Sequence, residues 1–117
     1  MKLFDSELKI MDALWKRGDL SAGELAKILK EETGWNRNTT YTVVKKCIDK
    51  GAVERYGSKF MCKALITREE IQQEQTTELV EKMFEGSYEK FFAAFLNEGY
   101  LSQEETEKLK KIIDEAK

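Results

Sequence analysis

Residues 34–51 read GWNRNTTYTVVKKCIDKG, and the structure of this segment determines the architecture of the front half of the chain. A glycine bounds it at each end, and Asn36 is a favourable residue for capping a helix N-terminus. Apolar residues recur inside it at the three-to-four spacing of an amphipathic helix. We therefore predict a helix that begins after Asn36 and ends at Gly51, with one apolar face and one polar, basic face.

At about 100° per residue, the apolar face of this helix centres on Thr40, Val44 and Cys47. Tyr41 falls at the border between the two faces. The residues that point away are Asn38, Thr39, Thr42, Lys45, Lys46 and Asp49. Small polar side chains come first and cations later, an order that suits a recognition helix entering the major groove of DNA by its N-terminal turn. An ordinary solvated helix face is the alternative.

Two short helices are predicted before this stretch. The first carries apolar residues between Leu8 and Trp15 and ends at Gly18. The second opens with a capping box, in which Ser21 is followed three residues later by Glu24. The links between the helices are short and contain glycine, which is the sequence form of a helix-turn-helix.

Two short apolar segments follow Gly51, one through Val53 and Tyr56 and one through Phe60 and Met61. Gly57 and Ser58 separate them, a pair that predicts a tight β-hairpin. Three helices and a hairpin form the winged-helix plan. A lone hairpin is marginally stable in water, so this one is expected to pack on the helices.

The rear half is predicted to be helical again, with two more capping boxes at Thr67 and Ser102 and interruptions at Gly86 and Gly99. We place a winged-helix domain at residues 1–66 and a helical domain at residues 67–117. Because the helical segment is short, it has little core of its own, and we expect it to pair with a second copy of the chain. A monomer in which this segment forms a helical lid is the alternative. The residues assigned to dimerisation are Ile71, Leu79, Met83, Phe84, Tyr88, Phe91, Phe92, Phe95, Leu109, Ile112 and Ile113. The fold class is thus mainly α with a small β-hairpin.

Charge is distributed unevenly along the chain. Residues 1–66 hold 13 basic and 9 acidic side chains, whereas residues 67–117 hold 7 and 13. Residues 35–63 hold 7 basic and 2 acidic side chains. A basic front half is typical of a nucleic-acid partner, and an acidic rear half is not expected to touch phosphate.

Cations at two further places are suited to phosphate contacts. Arg37 lies where the recognition helix begins, close to its free backbone N–H groups. Arg55 and Lys59 belong to the hairpin, where a wing would straddle the DNA backbone. These contacts would set affinity and register rather than sequence choice. A winged helix used as a protein-interaction module remains the alternative function.

The composition argues against other classes of site. The chain has no histidine, the commonest general acid–base residue, and no phosphate-loop or nucleophile-elbow motif. We therefore expect neither an enzyme nor a metal or cofactor site. Cys47 and Cys62 form no C-x-x-C pair, and we interpret both as buried apolar residues rather than redox-sensing thiols. No apolar run is long enough for membrane insertion and no signal peptide is visible, which predicts a cytoplasmic protein.

The residues in this order resemble the penicillinase repressors of the BlaI/MecI type over essentially the whole chain. The resemblance is carried by the opening Leu8–Trp15 helix, the 21–32 helix, WNRNTTYT at residues 35–42, and Lys50-Gly51 before the hairpin. In the rear half, KMFEGS at 82–87 and YLSQEE at 100–105 are similar as well. No single motif is diagnostic, but their order and spacing are fairly specific.

The resemblance implies a cytoplasmic bacterial repressor that binds a palindromic double-stranded DNA operator as a homodimer. It implies that Thr39, Tyr41 and Thr42 lie at base edges, with Asn38, Lys45 and Lys46 beside them. Such repressors are inactivated by proteolysis, which makes a membrane protease-type sensor a candidate partner.

Three features depart from the family pattern. The hairpin tip is shorter than usual. The Asn-Phe bond that is cleaved in well-known members is matched here by Ala94-Phe95, and the ending KKIIDEAK lacks the cysteines of copper-responsive relatives.

Overall fold

The computed structural model describes residues 1–116, in six helices and three short strands. The helices are α1 (Asp5–Arg17), α2 (Ala22–Thr33), α3 (Arg37–Asp49), α4 (Arg68–Met83), α5 (Tyr88–Asn97) and α6 (Gln103–Glu115). The strands are β1 (Leu20–Ser21), β2 (Val53–Tyr56) and β3 (Met61–Ala64). The predicted class, mainly helical with a small β-sheet in a winged helix, is confirmed.

The sheet contains one strand more than the predicted hairpin. Its order is β1-β3-β2, with both pairs antiparallel, and β1 pairs Leu20 with Cys62 of β3. The connection between β2 and β3 also differs from the two-residue turn expected at Gly57-Ser58. It spans residues 57–60, because Tyr56 pairs with Met61 and Phe60 adopts a left-handed φ of 52°.

Local capping signals in the sequence explain most helix starts. The Asn36 side chain accepts a hydrogen bond from the Thr39 N–H at 2.8 Å, and the Ser21–Glu24 and Ser102–Glu105 capping boxes are formed in both directions. The exception is α1, whose N-cap residue Phe4 offers no side-chain acceptor. There, the backbone N–H of Phe4 donates to Glu7 Oε1 at 2.8 Å instead.

The core of the N-terminal unit lies between α1, α2, α3 and the sheet. Its fully buried members include Ile10, Leu25 and Val44. Cys47 and Cys62 are free and buried, which confirms that part of the interpretation. Burial raises the pKa of Cys47 to about 12 and that of Cys62 to about 11, so neither thiol is ionised near neutral pH.

The chain divides into a compact unit of Met1–Gln75 and a second unit that starts at Thr76, so this division lies inside α4. The first turns of α4 belong to the N-terminal unit because Ile71 is buried in its core and Gln75 Nε2 donates to the Leu3 carbonyl at 3.3 Å. Ile71, which the sequence analysis assigned to dimerisation, is thus buried within the N-terminal unit.

The C-terminal unit keeps much of its apolar surface open to solvent. Val80 is buried, and Phe91 stacks edge-on with Phe84, Phe92 and Phe95 at centroid distances of 5.1–5.4 Å. The exposed members of the assigned set are Leu79, Met83, Tyr88, Phe92, Phe95, Ile112 and Ile113, with Phe84, Phe91 and Leu109 partly exposed. Leu96 and Tyr100 are also exposed, and the sequence assignment omitted them.

Candidate nucleic-acid interface

Helix α3 separates its faces as its sequence predicts. Thr40, Val44 and Cys47 have 0% exposure, and α3 packs against α1 and α2 through this face. On the opposite face the exposed residues are Arg37, Asn38, Thr42, Lys45, Lys46 and Asp49. Thr39 and Tyr41 are half-buried at the border. The helix therefore offers a polar, cationic ridge backed by a rigid core.

Arg37 and Tyr41 are joined at the N-terminal end of this ridge. Arg37 Nη2 donates to the Tyr41 hydroxyl at 2.7 Å, and its guanidinium lies 5.1 Å from the centre of the Tyr41 ring. The same nitrogen lies close to Gly23 at the start of α2, where an added Cβ would be 3.7 Å away. The Tyr41 hydroxyl is thus already occupied as an acceptor.

Thr42 is the exposed hydroxyl on the middle of the ridge. Its Oγ1 donates to the Asn38 carbonyl at 2.9 Å, one turn earlier in the helix. The hydroxyl proton is therefore engaged, while the oxygen lone pairs and the methyl group still face outward. Such a side chain can accept a hydrogen bond from a base or contact a thymine methyl.

Lys45 and Lys46 supply free charge to the ridge, but Lys50 does not. The side chains of Lys45 and Lys46 are both exposed. Lys50 instead forms a 2.6 Å ion pair with Glu7, a buried carboxylate, and also donates to the Lys2 carbonyl at 2.9 Å. Lys50 is one of the seven basic residues of segment 35–63, but the ion pair with Glu7 neutralises its charge within the protein.

The wing places its cations beside α3. Arg55 lies on β2, with its guanidinium 3.8 Å from the centre of the Phe60 ring. Lys59 is exposed in the connection between the strands. A cleft of about 210 Å³ opens between the helix and the wing, lined by Lys45, Ile48, Asp49, Arg55 and Phe60. The predicted nucleic-acid residues thus come together on α3 and the adjoining wing.

Phe60 also belongs to this surface, although the sequence indicated only that it lies in a short apolar segment of the hairpin. Its ring lies 5.9 Å from that of Tyr41 and also meets Arg55. The signal was indirect: an aromatic residue in the turn next to cations. Its left-handed backbone conformation could not be expected for an aromatic residue.

A second cleft, of about 570 Å³, contains no α3 residue. Its lining combines the cations Lys9 and Arg68 with the carboxylates of Asp5, Asp12 and Glu32. Arg68 is already bound to Asp12 at 2.8 Å. This balance of charge does not favour an anionic ligand. Among residues 1–116 no cluster of three or more potential metal-binding side chains occurs.

The model of the family described as penicillinase repressor matches residues 3–115. The chain belongs to the penicillinase repressor family. Its similarity to individual members is low but extends along their length. The Penicillinase repressor of Bacillus licheniformis is 25% identical over 118 residues, covering 99% of this chain and 92% of that protein.

A staphylococcal member of the penicillinase repressor family shows the same breadth of match. The Methicillin resistance regulatory protein MecI of Staphylococcus aureus (strain N315) is 21% identical over 115 residues, covering 97% of this chain and 94% of that protein. The resemblance stated from the sequence is therefore confirmed.

Two solved structures extend the penicillinase repressor match to the fold. The solution structure of the DNA binding domain of the repressor BlaI has a TM-score of 0.54 and 26% identity, over 57% of this chain and 84% of that one. The Bacillus licheniformis BlaI monomeric form in complex with the blaP half-operator has a TM-score of 0.51 and 27% identity, over 58% and 85%.

Family and fold together support a DNA-binding transcriptional repressor, and a repressor is not an enzyme. None of the helices described within residues 1–116 is sufficiently long and apolar to cross a lipid bilayer.

Proposed function

We propose that the chain represses transcription as a homodimer that binds a palindromic operator, with the third helix of each winged helix in the major groove. The observation that carries this proposal is the division of α3, whose one face is fully buried while the other carries an outward row of hydroxyl, amide and ammonium groups. A helix braced in this way can enter the groove as a rigid body.

Within the row, each side chain has a role suited to its chemistry. Thr39, Tyr41 and Thr42 reach base edges, with Asn38 beside them. Lys45 and Lys46 hold phosphates further along the helix. This assignment is supported by the position of the small polar groups near the N-terminal end of α3 and of the free lysines near its C-terminal end. Base contacts then set sequence choice and phosphate contacts set affinity.

Arg37, Arg55 and Lys59 complete the contacts with the DNA backbone. Support comes from the exposure of all three and from the place of Arg55 and Lys59 on the wing, next to α3. The BlaI structure with the blaP half-operator concerns a similar winged helix, and we extend its partner class to this chain.

Dimerisation is the second part of the proposal, and the apolar surface of the C-terminal unit supports it. Met83 is 72% exposed, Ile112 61% and Phe92 46%, so large apolar side chains of this unit remain in contact with water, which burial against a partner would relieve. A twofold dimer would cover such a surface on both copies and would place two recognition helices about one helical turn of DNA apart.

The test is duplex binding by fluorescence anisotropy, using DNA from upstream of the chain's own gene and a scrambled duplex of equal length. The wild type should prefer the former, and its affinity should fall steeply with salt. Lys46→Ala should weaken binding to both duplexes alike and should reduce the steepness of the dependence of log affinity on log salt concentration by about 1. Thr42→Ala should instead relax discrimination at one base position. Lys9→Ala, an exposed cation on α1, is the matched control and should change neither.

Equal, salt-insensitive affinity for both duplexes would contradict the proposal and favour a winged helix that docks proteins instead. Identical effects of Lys46→Ala and Thr42→Ala would leave DNA binding intact but refute the division of roles. A repressor of this kind works in the cytoplasm. A membrane protease-type sensor is a further proposed partner, but Ala94-Phe95 offers it no Asn-Phe bond to cleave.

A further inference from the structure

We infer that Phe60 is a positioning residue that couples the wing to the recognition helix, so that Arg37 and Arg55 meet DNA as one preformed unit. The coupling runs through four side chains in sequence of contact: Arg37, Tyr41, Phe60 and Arg55, here termed the bridging stack. This inference rests on the proposed function and adds to it a residue that need not itself touch DNA.

Each neighbouring pair in the bridging stack is in contact. The Arg37 guanidinium lies 5.1 Å from the centre of the Tyr41 ring and donates to its hydroxyl. The Tyr41 and Phe60 rings are 5.9 Å apart, tilted by 48°. The Arg55 guanidinium lies 3.8 Å from the Phe60 ring centre. Both cation–ring distances and the ring pair are within the range of favourable interaction.

The backbone holds Phe60 in this place. Its φ of 52° is left-handed, which an aromatic residue adopts only when its surroundings require it. Its carbonyl accepts a hydrogen bond from the Ala22 N–H at 2.9 Å, at the start of α2. The wing turn is therefore attached to α2 by its backbone and to α3 by its ring.

The consequence for binding concerns the two arginines. A free arginine on a surface loses side-chain freedom when it grips a phosphate, which weakens binding. An arginine stacked on a ring has already lost part of that freedom, and its charge still acts on the phosphate. The two arginines held by the bridging stack thus raise affinity for any sequence and do not themselves select bases.

The test is a double-mutant cycle on duplex affinity in the full chain, with Phe60→Leu, Arg55→Ala and the pair. Arg55→Ala should weaken binding about five- to thirtyfold in the wild-type background and much less when Phe60→Leu is present. Lys59→Ala lies outside the bridging stack and should cost the same in both backgrounds. Phe60→Tyr keeps the ring and should bind like the wild type.

Arg55→Lys provides a test that does not depend on the folding of Phe60→Leu, since it changes only an exposed side chain. Lysine keeps the charge but not the planar stacking, so it should lose most of what Arg55→Ala loses. An additive cycle, or Arg55→Lys equal to wild type, would overturn the coupling while DNA binding stands. Absence of duplex binding by the wild type would instead overturn the proposed function, and the coupling with it.

Discussion

At the scale of single residues, Thr40 is the least satisfied group in the N-terminal unit. It has 0% exposure, and its Oγ1 has no hydrogen-bond partner among the described residues. A buried hydroxyl without a partner costs about 1–3 kcal/mol of stability. The Thr40 side chain points from α3 into the core of the N-terminal unit, so its hydroxyl contributes nothing to the outward ridge.

Thr40→Val should therefore raise the free energy of unfolding by about 1 kcal/mol, because valine has the same shape without the hydroxyl. Urea unfolding followed by tryptophan fluorescence measures it, since both tryptophans, Trp15 and Trp35, lie in the N-terminal unit. Thr42→Val, an exposed position on the same helix, should be nearly neutral. A loss of stability in Thr40→Val would show that the hydroxyl is satisfied in solution.

Glu7 shows how a buried charge is balanced. Burial raises its pKa, but the hydrogen bonds from Lys50 and the Phe4 N–H, together with the charges of Lys50 and Lys46, outweigh that effect. The pKa of Glu7 consequently lies below the ordinary value of 4.5. A carboxylate with a depressed pKa contributes stability that is present above the unfolded value and lost as pH falls through the folded one.

Glu7→Gln should lower stability at neutral pH by about 2 kcal/mol, because Lys50 is left in a partly buried place without its counter-ion. Below pH 4.5 the difference from wild type should shrink as Glu7 of the wild type becomes protonated. Unfolding free energies measured across pH 3–7 test this. Parallel curves for the two proteins would mean that Glu7 does not carry the acid sensitivity.

At the scale of elements, the turn between α4 and α5 stores a small strain. Glu85 adopts a left-handed φ of 55°, followed by Gly86 at 79°. The Glu85 carboxylate pairs with Lys90 at 3.0 Å, but both side chains are largely exposed. The pair therefore adds about 0–1 kcal/mol to stability. The left-handed conformation of a non-glycine residue costs about 1–2 kcal/mol.

Glu85→Gly should relieve the strain of the left-handed conformation but should lose the ion pair and gain freedom in the unfolded chain. The net result should be a stabilisation of about 0.5 kcal/mol. Glu89→Gly, the same change in the first turn of α5, should destabilise by about 0.5–1 kcal/mol. Hydrogen exchange of the α5 amides compares the two. Equal destabilisation would show that Glu85 is not strained.

Elements differ in how far local sequence determines them. Asn36, Ser21 and Ser102 could be identified as caps because each bonds within its own next turn. The strand Leu20–Ser21 could not, because two residues become a strand only through pairing with β3. The four-residue wing turn depends on Phe60, whose conformation is set by contacts with α2 and α3 rather than by its own propensity.

At the scale of the whole molecule, the two units differ in charge. Residues 1–75 hold 14 basic and 12 acidic side chains, and residues 76–117 hold 6 and 10. The excess of cations is thus concentrated on α3 and the wing rather than spread over the N-terminal unit. The outward position of the polar residues on α3 followed from helical periodicity. The burial of Ile71 did not, because it depends on packing against residues far away in the sequence.

Ile112 on α6 is exposed and belongs to the apolar surface proposed to pair two copies of the chain. Ile112→Glu should raise the dimer dissociation constant at least about tenfold, because a buried carboxylate without a partner is costly. Lys111→Gln, which changes the net charge by the same amount on the polar face of α6, should leave it unchanged. Sedimentation equilibrium measures both. A wild type that stays monomeric at micromolar concentration would refute the pairing.

The proposed function requires the outward row on α3 to read bases, twice per dimer. Selection of bound sequences from a random duplex pool tests it most directly, with wild type and Thr42→Ala in parallel. The wild type should enrich an inverted repeat with half-sites about one helical turn apart, and Thr42→Ala should lose the preference at one position in each half-site. If no sequence is enriched, or if Thr42→Ala enriches the same sequence as the wild type, the outward row does not read bases in this way.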